Sequence, residues 1–220
     1  MTGRLLEEFK DPVSGLTHLA SAILAAVGTV ILLIRAGGGD ANRVLVLSVY
    51  GLSLVILFSA SAIYHLTRTT PSRELLLRRV DHSAIFILIA GTYTPICVLA
   101  LPDPIGTILL ISVWAFALLG ILLKVFFFQQ VPGWVSTALY IIMGWLAVIG
   151  IVPLVRSIPL AGLLWLLAGG LFYTGGAVIY SMKKLVIVPG VFGNHEIWHL
   201  FVSAGAASHF ILIIAFVARK

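Results

Sequence analysis

NHEIWHLFVSAGAASHF, residues 194–210, supports two readings at once. Its first turn, His195-Glu196-Ile197-Trp198-His199, fits H-E-x-x-H, in which two histidines hold zinc and the glutamate is the general base of a peptidase. The chain then stays apolar to about residue 218. That is long enough to cross a bilayer, which needs about 20 such residues. The length decides the fold: the histidine pair stands at the head of a membrane helix.

Six more apolar runs precede it, at about 16–34, 44–66, 82–101, 105–127, 134–155 and 160–181. The last run covers about 196–218. Glycine, proline and charge collect between them, as in "RAGGGDANR" (35–43), "TRTTPSRELLLRR" (67–79), "RSIP" (156–159) and "KKLVIVPGVFGN" (183–194),. The expected fold is all-α, a seven-transmembrane helix bundle forming one integral membrane domain over 1–220. Residues 1–15 form an interfacial or cytoplasmic N-terminal segment. There is no internal repeat. Glu7, Glu8 and Asp11 in the opening stretch argue against a cleaved signal peptide,.

Composition agrees. The chain is 60% hydrophobic and 10% charged, with mean hydropathy +1.13; soluble domains carry about 25% charged residues. The net charge of +6 is spread between apolar runs, so it reads as a topology signal and an attraction to anionic lipid rather than a nucleic-acid track. Nine of the 14 basic residues fall on the side of the N-terminus in this topology, including Arg68, Arg73, Arg78, Arg79 and Lys124, and five on the other. That bias predicts a cytoplasmic N-terminus in a multi-pass protein of the cell membrane, the inner membrane in a bacterium. Cys97 is the single cysteine, so no intrachain disulfide forms.

Ionisable groups inside a bilayer cost several kcal/mol and mark functional positions. In this topology His18, His65, Asp81, His82, His195 and His199 lie at one depth, near the inner face. His195 and His199 are i and i+4, on one helical face. His65 can supply a third nitrogen, and Ser61 lies one turn deeper on the same face as His65. Three histidines with an open position form a catalytic zinc site. Asp81 and Ser61 beside it are the candidate catalytic groups, able to hold and deprotonate a water whose pKa the metal lowers to about 7. Imidazole suits zinc better than calcium or magnesium. His18 and His82 read as packing or supporting groups. His209, ten residues past His199 and about 15 Å deeper, lines the cavity or bonds across helices. Glu196 reads as a first-turn carboxylate behind an Asn194 N-cap. Pro95 kinks the third span, with Thr92 and Thr94 to satisfy freed backbone groups. Glycines 91, 169, 170, 175, 176 and 205 permit close helix contacts.

Four blocks, "DPVSGLTHL" (11–19), "SASAIYHL" (59–66), "VDHSAIFILIAGTYTP" (80–95) and "NHEIWHLFVSAGAASHF" (194–210), together resemble the hemolysin III proteins, the bacterial branch of the progestin and adipoQ receptor family. The resemblance runs nearly the whole chain, with Ser14 where the common family form has Asn. It implies seven transmembrane helices with a cytoplasmic N-terminus, and zinc held by His65, His195 and His199 with Asp81 and Ser61 around a metal-bound water. The alkaline ceramidases look distantly similar at the same five positions, which implies hydrolysis of a lipid amide. The leading expectation is therefore a zinc-dependent hydrolase of a lipid amide or ester, serving membrane lipid homeostasis, with a membrane lipid or fatty acid as its partner. The alternatives are a non-enzymatic lipid sensor with structural zinc, an intramembrane peptidase using Glu196, and a cytolysin. The sequence does not set the oligomeric state.

Overall fold

The computed structural model of the chain describes residues 8–37, 40–182, 185–189 and 191–220. Seven helices are long and apolar enough to cross a membrane. We label them α1 (Pro12–Ala36), α2 (Ala41–Leu66), α3 (Pro71–Ala100), α4 (Ile105–Phe126), α5 (Gly133–Ser157), α6 (Leu160–Met182) and α7 (Asn194–Val217). The chain is a multi-pass membrane protein.

Local chemistry fixes the ends. Pro12 and Pro71 open α1 and α3, where a missing N–H costs nothing,. Gly37 closes α1 in the left-handed conformation, its N–H donating to the Ile34 carbonyl,. Asp40 caps α2, accepting from the backbone N–H of Asn42 and Arg43,.

α3 is the central helix: 72% of its most apolar window is buried, more than in any other span. It begins 11 residues before the expected start at 82. The charged stretch 71–79, read from sequence as a connector, is helical instead. Pro71 at the first position, Glu74 in the first turn and three leucines at 75–77 favour that helix,. Past Pro95 the helix widens into a π-turn, Ile96–Ala100. Thr92 and Thr94 do bond their own helix, donating to the carbonyls of Leu88 and Ala90. Neither reaches the Gly91 carbonyl that Pro95 leaves without its usual donor.

α5 is interrupted by a 3₁₀ stretch, Leu146–Gly150, which the hydropathy pattern does not reveal. The connector before α7 holds a short antiparallel hairpin, β1 (Val186–Val188) with β2 (Phe192–Gly193). The expected N-terminal segment falls partly on residues 1–7, outside those described; Pro12 already belongs to α1.

Two apolar clusters build the interior. One joins α1, α2, α3 and α7 around Leu32, Leu47, Tyr50, Phe58 and Ile213. The other joins α3, α4, α5 and α7 around Phe86, Val113, Met143 and Leu212. Gly91 is where α3 meets α2: a Cβ there would collide with the Ser53 side chain. Leu24, Ile34, Ile149 and Leu160 are more than 70% exposed, as lipid-facing side chains are in a bundle without its bilayer.

Candidate metal centre

His65, His195 and His199 meet at one end of the bundle. Each offers a ring nitrogen, and the three nitrogens lie within 4.8 Å of one another. Ring centroids are 4.7 Å apart for His65–His199 and His195–His199, and 5.0 Å for His65–His195. The sequence argument placed these three around one ion, and the fold brings them together. His65 is 2% and His199 3% exposed, with His195 only partly buried.

The donor set fits a transition-metal ion. Three imidazoles give nitrogen ligands, the chemistry that zinc prefers over the oxygen shells of calcium and magnesium. Nδ1 of His199 is buried without a hydrogen-bond partner among the described residues, so no protein group competes for that ring's lone pair. Nδ1 of His65 donates to Oδ2 of Asp11 at 2.9 Å, leaving Nε2 for a cation. A carboxylate behind a ligating histidine fixes tautomer and ring orientation.

Asp11 is the residue that sequence reasoning missed. It stands just outside α1, and its backbone N–H donates to the His65 carbonyl at 2.8 Å. Its carboxyl is held below the usual carboxylate range, chiefly by the His65 hydrogen bond against some desolvation,. Lys10 braces the same turn, bonding Glu74 at 3.0 Å and covering the Tyr64 ring at 3.5 Å. Arg68 donates to the Phe9 carbonyl. One signal was readable: a carboxylate just before the first span, at the depth of the histidines.

Ser61 and Asp81 are buried at 2% and 7% exposure. Both line a cavity of about 1070 Å³, whose wall also carries His18, His195 and His199. The Ser61 hydroxyl lies beside the Asp81 carboxylate. His82, read from sequence as a packing or supporting group, comes within 3.4 Å of Asp81 through Nδ1. Its ring rests on Phe128 at 5.5 Å.

His18 packs on His199, ring centroids 3.9 Å apart, and its Nε2 donates to the His199 carbonyl at 3.3 Å. It supports the ligand helix, as expected. His209 lies deeper, with Nε2 on the Leu166 carbonyl of α6 at 3.2 Å, and it lines the cavity. Glu196 is occupied by the helix start. Its Oε2 accepts from the Gly193 N–H at 2.7 Å, and its Oε1 accepts from Ser14 at 3.4 Å. The N-cap is Gly193, not Asn194; the Asn194 amide instead donates to the Tyr180 carbonyl of α6.

The sequence pattern of the family described as "Haemolysin-III related" matches residues 7–210. The chain is 39% identical over 216 residues to "Hemolysin-3" of Bacillus cereus, covering 97% of this chain and 95% of that one. It is 34% identical over 211 residues to "Hemolysin-3 homolog" of Bacillus subtilis (strain 168), covering 96% and 95%. It is also similar to the human "Monocyte to macrophage differentiation factor", 28% identical over 211 residues, covering 93% of this chain and 83% of that one.

Proposed function

This chain belongs to the Haemolysin-III related family of multi-span membrane proteins, and on that footing we propose that it is a zinc-dependent hydrolase of a lipid amide or ester. One observation carries the reading. Three histidines converge, His195 and His199 of them on the wall of a large cavity that also holds a buried carboxylate and a serine. With the N-terminus cytoplasmic, the centre lies near the inner headgroup layer.

His65, His195 and His199 would hold the metal. Bound zinc would supply Lewis acidity and would lower the pKa of a water toward neutrality. The cavity wall, largely leucine, isoleucine and aromatic, takes the acyl chain and keeps bulk water away,. An Oδ atom of Asp81 accepts the proton of the attacking water. It returns that proton to the leaving nitrogen or oxygen as the C–N or C–O bond breaks. The Ser61 hydroxyl orients the Asp81 carboxylate. The products are a fatty acid and the freed amine or alcohol.

The test is metal analysis and lipid turnover on purified protein. His195→Ala should lose both zinc and the release of fatty acid from ceramide or phospholipid. Undiminished release by metal-free protein refutes the reading.

A second reading rests on the Asp11–His65 contact: a metal there would tie α2, α7 and the segment before α1 together. The protein would then be a lipid sensor with structural zinc. It predicts that zinc-loaded protein releases no fatty acid while metal removal still lowers its Tm. The names of the two Bacillus relatives point to hemolysis. Red-cell lysis by detergent-free protein tests that activity here.

A further inference from the structure

At the same end of the cavity stand two cations, Lys124 and Arg78, with no carboxylate within 4.0 Å among the described residues. Lys124, in the last turn of α4, is 4% exposed. A lysine at a membrane helix end ordinarily extends its ammonium to water. This one lines the cavity, 4.8 Å over the Phe128 ring. Among the described residues its Nζ has no hydrogen-bond acceptor and no carboxylate within 4.0 Å. Arg78 approaches the same ring at 5.3 Å and lines the same wall. Arg78 is exposed at the cavity rim, and its helical neighbours engage other groups: Glu74 bonds Lys10, and Asp81 lies 3.4 Å from His82.

A ring face attracts a cation but does not replace a counter-ion. An ammonium that opens only onto an apolar cavity, with no carboxylate beside it, gains from an anion that enters there. Gln129 and Ser136 add polar groups to the lining of the same cavity. We infer that Lys124 and Arg78 form an anion subsite that receives the phosphate of a lipid headgroup. A phosphate uses both a point charge and a planar fork, which lysine and arginine respectively provide. The subsite reaches Asp81 through Phe128 and then His82. The lipid's phosphate therefore occupies one side of His82 and its acyl carbonyl the other, with the chain along the apolar wall. This rests on the hydrolase reading only for the direction in which the lipid lies; the binding itself does not require turnover.

The test measures binding of phosphatidic acid, of diacylglycerol with the same chains, and of inorganic phosphate to the purified full chain in detergent. The protein should bind phosphatidic acid about tenfold tighter than diacylglycerol. Lys124→Met and Arg78→Gln should each abolish most of that preference. Lys124→Arg should keep it, and so should Arg73→Gln on the same helix. Millimolar inorganic phosphate should compete weakly; equal binding of free phosphate and phosphatidic acid would reassign the subsite to soluble anions and overturn the lipid proposal. Equal affinity for phosphatidic acid and diacylglycerol also overturns it, as does an unchanged preference in folded Lys124→Met and Arg78→Gln proteins. A preference that persists without any fatty-acid release would sink the hydrolase reading alone.

Discussion

Asp11 and His65, 54 residues apart, are joined twice: the Asp11 carboxylate accepts from His65 Nδ1 at 2.9 Å, and the Asp11 N–H donates to the His65 carbonyl at 2.8 Å. The first contact orients the ring and the second holds the carboxylate in place. Asp11→Asn should leave the backbone bond intact and weaken the first. Losing such a support behind a ligating histidine lowers metal affinity about 10–100-fold. Competition with a chelator of known affinity checks this; an unchanged zinc affinity would show that Asp11 supports only the fold.

Metal removal should lower thermal stability, because a cation that binds only the folded state stabilises it by mass action. At about 100 times the dissociation constant the effect is about 2.7 kcal/mol. Thermal unfolding with and without zinc should show the difference in the unaltered chain. His199→Ala should be insensitive to zinc.

The H-E-x-x-H spacing and the lipid-hydrolase reading assign different carboxylates to water chemistry. Asp81→Asn should lower turnover by about 10²–10⁴-fold, the range for loss of a general base. Glu196→Gln should retain turnover and cost at most about 1 kcal/mol of stability, since its carboxylate is engaged at the helix start,. The reverse pattern in a paired fatty-acid release assay would move the general base from Asp81 to Glu196.

Helix spacing beside the centre is set at Gly91. A Cβ there would lie 2.6 Å from the Cβ of Ser53, which moves only with its backbone. Gly91→Ala should therefore force α2 and α3 apart, costing about 1–3 kcal/mol. It should also loosen Ser61 and Asp81, which those helices carry. Gly170→Ala, whose Cβ would meet no atom within 4 Å, is the matched control and should unfold like the parent.

The spans were legible because hydropathy is a one-dimensional property, and six of the seven begin within a few residues of expectation. α3 was cut short because hydropathy stops at the membrane while helix propensity continues through Arg73, Glu74 and the leucines. The meeting of His65, His195 and His199 was legible through i, i+4 spacing and shared depth. Asp11 was not, because a lone carboxylate before proline looks like an ordinary helix start, and its partner is fixed by packing. Asn194 has the chemistry of a cap, but the backbone turned one residue earlier and left that role to Gly193. The hairpin was hidden in an apolar connector, though Pro189-Gly190 between valines is a turn signal. Lys124 was counted only as a topology charge; that its ammonium faces inward is a tertiary fact. Gly170, grouped with the packing glycines, faces open space.

The length of α3 bears on energetics in the cell. Its 30 residues span about 45 Å, some 15 Å more than the hydrocarbon layer. With the charged first ten residues as that overhang, Asp81 falls where water meets acyl chains. Protons reaching it traverse almost none of the membrane electric field, which is worth about 2.3 kcal/mol per charge per 100 mV only for a full crossing. Under the proposed hydrolase function, collapsing the voltage across vesicles that hold the protein should leave the rate of fatty-acid release unchanged.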